Sequence, residues 1–349
     1  MILQESLLIT LVRLVECIPV PQPSKPGRGH PKVYSDRLFL KALVIMIVRH
    51  LHKVHELLSV LEQPTAEMQA LRELLTENGR YPARRTWERR LKGLPESLPA
   101  QISCIGCYLV KLIQPWADCG RAVAIDSTVL RANGGVWHKK DREKGIVPHS
   151  SIDTQANWTK SGWHGWVYGW KLHLISVVAA VWIPLAAYLT SANQADNEVA
   201  PALIWVLPPE ARFLLGDLHY NAPNVREACE KSQRILVTTQ YGPYPHADDG
   251  VGVRRVFHKL RSLAIENFNE HFKGVFDAHG QVPTKGLTNT RRFALGAIFV
   301  YQLALLYRFN HSLDLNIGLK AFIKAAWWNY DQASLSWAGA LLARPPNQP

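Results

Sequence analysis

Along the first third of the chain apolar positions recur every three to four residues, and beyond it short apolar runs alternate with helical stretches. In MILQESLLITLVRLVE, Glu5, Arg13 and Glu16 punctuate the apolar pattern, which predicts an amphipathic helix. Residues 21–33 (PQPSKPGRGHPKV) form a Pro/Gly/basic connector that cannot be helical. Ser35 is placed to cap the broadly apolar helix DRLFLKALVIMIVRHL. Pro64 and Gly79 punctuate the next two helices, and Thr86 reads as the N-cap of a short helix in YPARRTWERRLKGLP. After Pro115 the pattern changes. RAVAIDSTVL, GWKLHLISVV and IPLAAYLT read as strands, the last two joined by a short turn. NQADNEVAPALIWVL reads as a helix, RFLLGD as a strand, NVREACEKS as a helix and RILVTTQ as a strand. A basic loop then leads to a long helix over about Val256 to Val275, and Phe293 to Tyr307 reads as a buried helix. This order predicts an all-α N-terminal region over 1–116, an α/β domain over 117–312 and a C-terminal tail over 313–349.

Charge adds a partner to that outline. With 47% hydrophobic residues the 349-residue chain can bury a sizeable core, and 40 Lys/Arg against 28 Asp/Glu give a net charge of +12. Such an excess favours a polyanion, nucleic acid or an anionic membrane surface. Seven Lys/Arg and one acid fall between Lys25 and Lys53, and six Lys/Arg and one acid between Arg80 and Lys92. Arg84, Arg85, Arg89 and Arg90 crowd one short helix, as phosphate contacts would require, although a solvated helix face can carry the same run. No segment reads as a membrane span or signal peptide: His173 and Pro184 interrupt the apolar stretch Leu172–Leu189. Five cysteines are too sparse for a disulfide framework, and Cys104-x-x-Cys107 sits in an apolar helical stretch that suggests buried thiols. A reducing, cytoplasmic setting is expected.

Three carboxylates carry the candidate chemistry. Asp126 stands inside the apolar strand V-A-I-D-S, where a carboxylate is expensive unless it is paired or binds a cation. A hydroxyl partner at Ser127 or Thr128 is the competing explanation. Asp217 ends the strand F-L-L-G-D, at the strand C-terminus where α/β sheets place ligands. Glu266 lies on the late helix with Glu270 and Lys273 on the same face, a pattern that an ordinary solvated helix also shows. Together, two strand acids and one helix acid could converge on a metal pair of the kind that activates attacking and leaving oxygens in phosphoryl transfer.

In combination these segments resemble the DDE transposases of bacterial insertion sequences. AIDST resembles the first-Asp strand. GWVYGWKLHLI followed by IPLAAYLTSANQADNEVAPAL resembles the G-x-K-x-H-L hairpin and T-x-A-N-x-x-D segment of that family. LLGDLHYNAPNVRE resembles the second-Asp motif, with its Tyr three residues on, and IENFNEHFK the Glu-x6-Lys helix. YSDRLFLKALV and RRTWERRLKGLP resemble the helical N-terminal region of the same proteins. The resemblance implies a ribonuclease-H-like α/β catalytic domain behind an all-α N-terminal region. It also implies Asp126, Asp217 and Glu266 as catalytic, metal-binding residues for Mg2+, with Mn2+ able to substitute. Lys273, Lys171 and Arg261 become DNA contacts, and the expected partner is DNA, both transposon ends and target, bound by a homodimer or higher oligomer in the nucleoid. Many relatives place an Arg four residues before the Glu, whereas Arg261 is five before Glu266, which leaves its role open and Glu270 as a fallback. Only 48 residues separate Asp217 from Glu266, so the large β-rich insertion of some relatives is absent.

Trp137, Trp158, Trp163, Trp166 and Trp170 fall close together among basic residues. Trp170 is expected to pack in the core, and Trp163 or Trp166 to stack on a DNA base close to the chemistry. Two rival functions remain: a DNA-binding protein derived from a transposase that has lost catalysis, and a simple metal-dependent nuclease.

Overall fold

The computed structural model describes residues 6–21, 33–115, 119–162, 165–238, 256–257 and 259–325. The N-terminal helices are α1 (Leu7–Cys17), α2 (Asp36–Val48), α3 (Val54–Leu61), α4 (Ala66–Leu74), α5 (Arg84–Gly93) and α6 (Leu98–Ile113). Ser6, Ser35 and Thr65 cap α1, α2 and α4 by accepting the N–H groups of Ile9, Leu38 and Met68. Thr86 is not a cap. Ala83, extended after Pro82, takes that position, and its carbonyl accepts the Thr86 and Trp87 N–H groups, so α5 starts earlier than predicted.

The remainder is a mixed α/β assembly: β1 (Ala122–Arg131), α7 (Lys139–Glu143), β2 (Asn157–Ser161), β3 (Gly165–Val177), β4 (Pro184–Ser191), α8 (Asp196–Trp205), β5 (Phe213–Gly216), α9 (Pro223–Lys231) and β6 (Ile235–Thr238). A helix then runs through a π turn at Ser262–Glu266 into α10 (Asn267–Val275), followed by α11 (Leu287–Asn310) and α12 (Leu319–Ala325). Among the described residues six strands form one sheet in the order β2-β3-β1-β5-β6, with β4 also paired to β3. β1 runs antiparallel to β3 and parallel to β5, and β5 parallel to β6. Four features go beyond the sequence reading: β3 begins at Gly165, β2 pairs with its first half, α7 is a short helix, and α12, inside the expected tail 313–349, buries Leu319 and Ile323 in the core. The basic loop expected after β6 lies outside the described residues.

One apolar core runs from Leu8 on α1 to Ile323 on α12 without a break at residue 116. Its axis is α11, which packs against α1, α2, α6 and β4. By length and composition α11 could cross a membrane, but 83% of its apolar window is buried inside the protein. Gly106 lets α6 lie directly on β4, because a Cβ there would come within 2.4 Å of the Pro184 carbonyl oxygen. Cys104 and Cys107 of α6 are free thiols, half-buried rather than fully buried.

Candidate active site

Asp126 sits mid-way along β1, opposite Leu174 of β3. The parallel register sets Ala124 beside Leu215, so Asp126 and Asp217 follow two residues further along neighbouring strands. Asp217 turns the chain: its Oδ1 accepts the His219 N–H at 2.8 Å and caps a 3-10 turn, Leu218–Tyr220. This turn folds Tyr220 back under the strand end, where it is 1% exposed. A Cβ at Gly216 would come within 2.9 Å of the Tyr220 Cβ, so the glycine makes room for this ring. The Tyr220 hydroxyl has no hydrogen-bond partner among the described residues. Burial first, and then the charges of Asp126, Asp196 and Asp217, push its pKa well above the ordinary tyrosine value.

The third acid arrives through an irregular helix. Asn267 N–H donates to the Ser262 carbonyl five residues back, which defines the π turn. That extra residue per turn carries Arg261 onto the face of Glu266 despite the five-residue spacing. Arg261 Nη1 lies 3.6 Å from Glu266 Oε1, and its Nη2 3.6 Å from Asp126 Oδ2. Glu270 points away, 3.8 Å from Lys273 and 4.0 Å from His279. Lys273 is 9% exposed. Burial lowers its pKa, with Glu270 and Asp126 opposing that shift.

Asp126 is pushed up to about 7 by burial, with Arg261 and the Ser127 N–H pulling against that and Asp217 and Asp196 adding to it. Asp196, at the start of α8, behaves in the opposite way. Burial would raise it, but the His173 ring, the Lys171 ammonium and the Ser127 hydroxyl outweigh burial and hold it at about 2. Lys171 Nζ lies 3.3 Å from Asp196 and 3.2 Å from the Gln194 carbonyl oxygen, so its ammonium is engaged within the protein. His173 adds a 3.4 Å contact to Asp196 and a 2.9 Å bond to Thr190. In the sequence Asp196 is the Asp of the T-x-A-N-x-x-D segment and Tyr220 the Tyr three residues after Asp217, but neither is given a part in the site there. The alternate-residue spacing of Lys171 and His173 puts both on one face of β3, where they meet Asp196.

No group of three acidic, His or Cys side chains among the described residues is close enough to hold one ion as it stands. The donor set nonetheless suits a hard divalent cation, being all carboxylate oxygen. Its innermost member bears a proton-holding burden that a cation would relieve, and a guanidinium already bridges Asp126 and Glu266. Asp126, Asp217 and Glu266 are thus donors of the type such a metal takes.

The other candidate contacts are scattered. On α5, Arg84 pairs with Glu88 at 2.9 Å. Arg90 is pinned, ion-paired with Asp36 and set 4.5 Å over the Phe39 ring. Arg85 and Arg89 are exposed. Trp170 is fully buried, and Trp137 and Trp158 pack against the core. Trp163 lies outside the described residues. Trp166 is 66% exposed and helps line a cleft of about 790 Å³ with His138, Lys139, Arg142, Asn157 and Trp158. This cleft is not beside the acids. Trp166 precedes Leu174, the partner of Asp126, by eight residues on β3, or about 26 Å at about 3.3 Å per residue.

The transposase DDE domain family matches residues 117–302, more than half of the 349-residue chain, and the chain belongs to that family. No curated protein and no solved structure matches it.

Proposed function

We propose that this chain is an active DNA transposase that cleaves at transposon ends and transfers the freed 3′-hydroxyl into target DNA. The observation that supports the reading is the placement of three acids: Asp126 and Asp217 stand at one level on neighbouring parallel strands, and Glu266 shares Arg261 with Asp126. The strand order, an antiparallel group continuing into the parallel strands β5 and β6, supports a ribonuclease-H-like core. Bound magnesium, or manganese in its place, supplies activation of the attacking oxygen and stabilisation of the leaving one. The chain's own part is positional. Asp126, Asp217 and Glu266 hold the ions, Lys273 meets a phosphate beside them, and Tyr220 packs the floor of the site. Arg85 and Arg89, with Arg84 beside them, track the DNA backbone, and Trp166 stacks on a base. Residues 1–116 serve DNA binding and 117–312 catalysis, α12 beyond them packs on the core, and the protein works as a homodimer or larger assembly on DNA in the bacterial nucleoid.

The test is a strand-joining assay with Mg2+ on DNA carrying the ends of the element. Joined products are expected. Asp126→Ala, Asp217→Ala and Glu266→Ala should each lower product by about a thousandfold or more, the effect of losing several kcal/mol of transition-state stabilisation. DNA binding should survive in all three. Cleavage without joining would mark a simple nuclease, and loss in Glu270→Ala with activity in Glu266→Ala would move the third ligand to Glu270.

A further inference from the structure

Arg261 occupies the place that a cation shared by Asp126 and Glu266 would take. Its side chain is 8% exposed, and its two terminal nitrogens each stand 3.6 Å from one of the acids. These separations exceed hydrogen-bond length, and Nε has no hydrogen-bond partner among the described residues. The guanidinium is thus held by charge rather than by directional bonds, and it can be displaced without breaking a hydrogen-bond network. The π turn aims it there, since the five-residue spacing on a regular helix would rotate Arg261 away from Glu266. Lys273, the other buried cation nearby, is already matched by Glu270 at 3.8 Å.

We propose that Arg261 is a tethered stand-in cation: in the metal-free protein it neutralises Asp126 and Glu266, and it must leave that position before a divalent ion is bound there. The proposal rests on Asp126 and Glu266 being metal ligands. It makes Arg261 a positioning residue that keeps two acids together while no metal is present, at the cost of weakening metal binding.

The experiment is a Mn2+ titration of the full-length protein at pH 8 without DNA, following the electron paramagnetic resonance signal of free Mn2+. Arg261→Gln removes a charge that competes for the same two carboxylates, and a coupling of about 1–3 kcal/mol between two ligands is roughly 5–150-fold, so the variant should bind Mn2+ about tenfold more tightly. Arg261→Lys, which keeps the charge, should stay near wild type. Equal affinities in wild type and a folded Arg261→Gln would overturn the proposal and leave the metal site standing. Absence of Mn2+ binding in both would overturn the proposal together with the metal site. A second measurement needs no variant. Phenylglyoxal labelling of Arg261, mapped by peptide mass spectrometry, should accelerate severalfold when Mg2+ is added to wild type, and an unchanged rate would sink the idea.

Discussion

Asp126 shows how much a single position on a strand can demand. Its carboxyl sits at about 7 instead of the ordinary 3.8, with burial the largest cause. The folded protein therefore keeps a proton that the unfolded chain has released above about pH 4. Without metal, stability from this group is fully present below the ordinary carboxyl pKa and is lost as pH climbs through 7. Melting temperatures in EDTA should thus fall between pH 5 and 8, and Asp126→Asn should flatten that fall; parallel wild-type and variant curves would refute the assignment. Mg2+ should stabilise wild type more at pH 8 than at pH 6, because the proton must leave before the ion can bind. The acid itself was legible in the sequence, since an Asp amid Val, Ala and Ile is conspicuous. Tyr220 was not. A buried tyrosine becomes part of a site only when a turn folds it beneath Asp217, and that turn depends on the Asp217 side chain and on space at Gly216.

At the level of elements, periodicity located most helices and strands because each buries one face; it passed over the short α7, which buries none, and α12. It missed β2, whose residues are half-buried and carry no clean alternation, and it gave β3 too short a span. The π turn was invisible for a related reason: a helical pattern constrains residues per turn on average, and one extra residue simply looks like a misplaced arginine. What the sequence presents as a departure from the family spacing, the backbone absorbs locally, so Arg261 and Glu266 share a face after all. The basic helix α5 needs a similar correction. Arg90 belongs to the protein's own packing through Asp36 and Phe39, which leaves Arg85, Arg89 and Lys92 exposed on α5, of which the two arginines are the predicted contacts. Changing both to Ala should reduce the salt dependence of DNA binding by about two units of slope, close to one per lost phosphate contact. An unchanged slope would remove α5 from the interface. Arg90→Ala should instead lower thermal stability with little change in slope.

Across the whole molecule, distances decide what one DNA duplex can touch. With Trp166 about 26 Å from the acids along β3, a stacked base would lie some seven to eight base pairs from the cleaved bond at about 3.4 Å per step. 2-Aminopurine scanned along the transposon end should brighten there and not at the terminal pair, and Trp166→Ala should abolish that signal; brightening confined to the terminus would exclude Trp166. A scaffold that holds two contacts so far apart must be stiff, and the core shows how. Helix α11 is buried among α1, α2, α6 and β4, so the N-terminal helices complete the hydrophobic core of the catalytic sheet. Gln302 of α11 stitches the junction, its Nε2 donating to the Ile102 carbonyl of α6 at 2.8 Å and to the Pro184 carbonyl of β4 at 2.9 Å. Stripping away residues 1–116 would expose one side of α11 and the face of β4 that α6 covers, leaving too little buried apolar surface to offset chain entropy. The full chain should therefore unfold in a single calorimetric transition, and a fragment spanning 117–312 should show none. Gln302→Leu should lower that one transition, since it removes two buried hydrogen bonds of about 0.5–1.5 kcal/mol each. Two separate transitions, or a fragment that melts cooperatively, would show instead that the helices are an independent domain resting on a self-sufficient catalytic core.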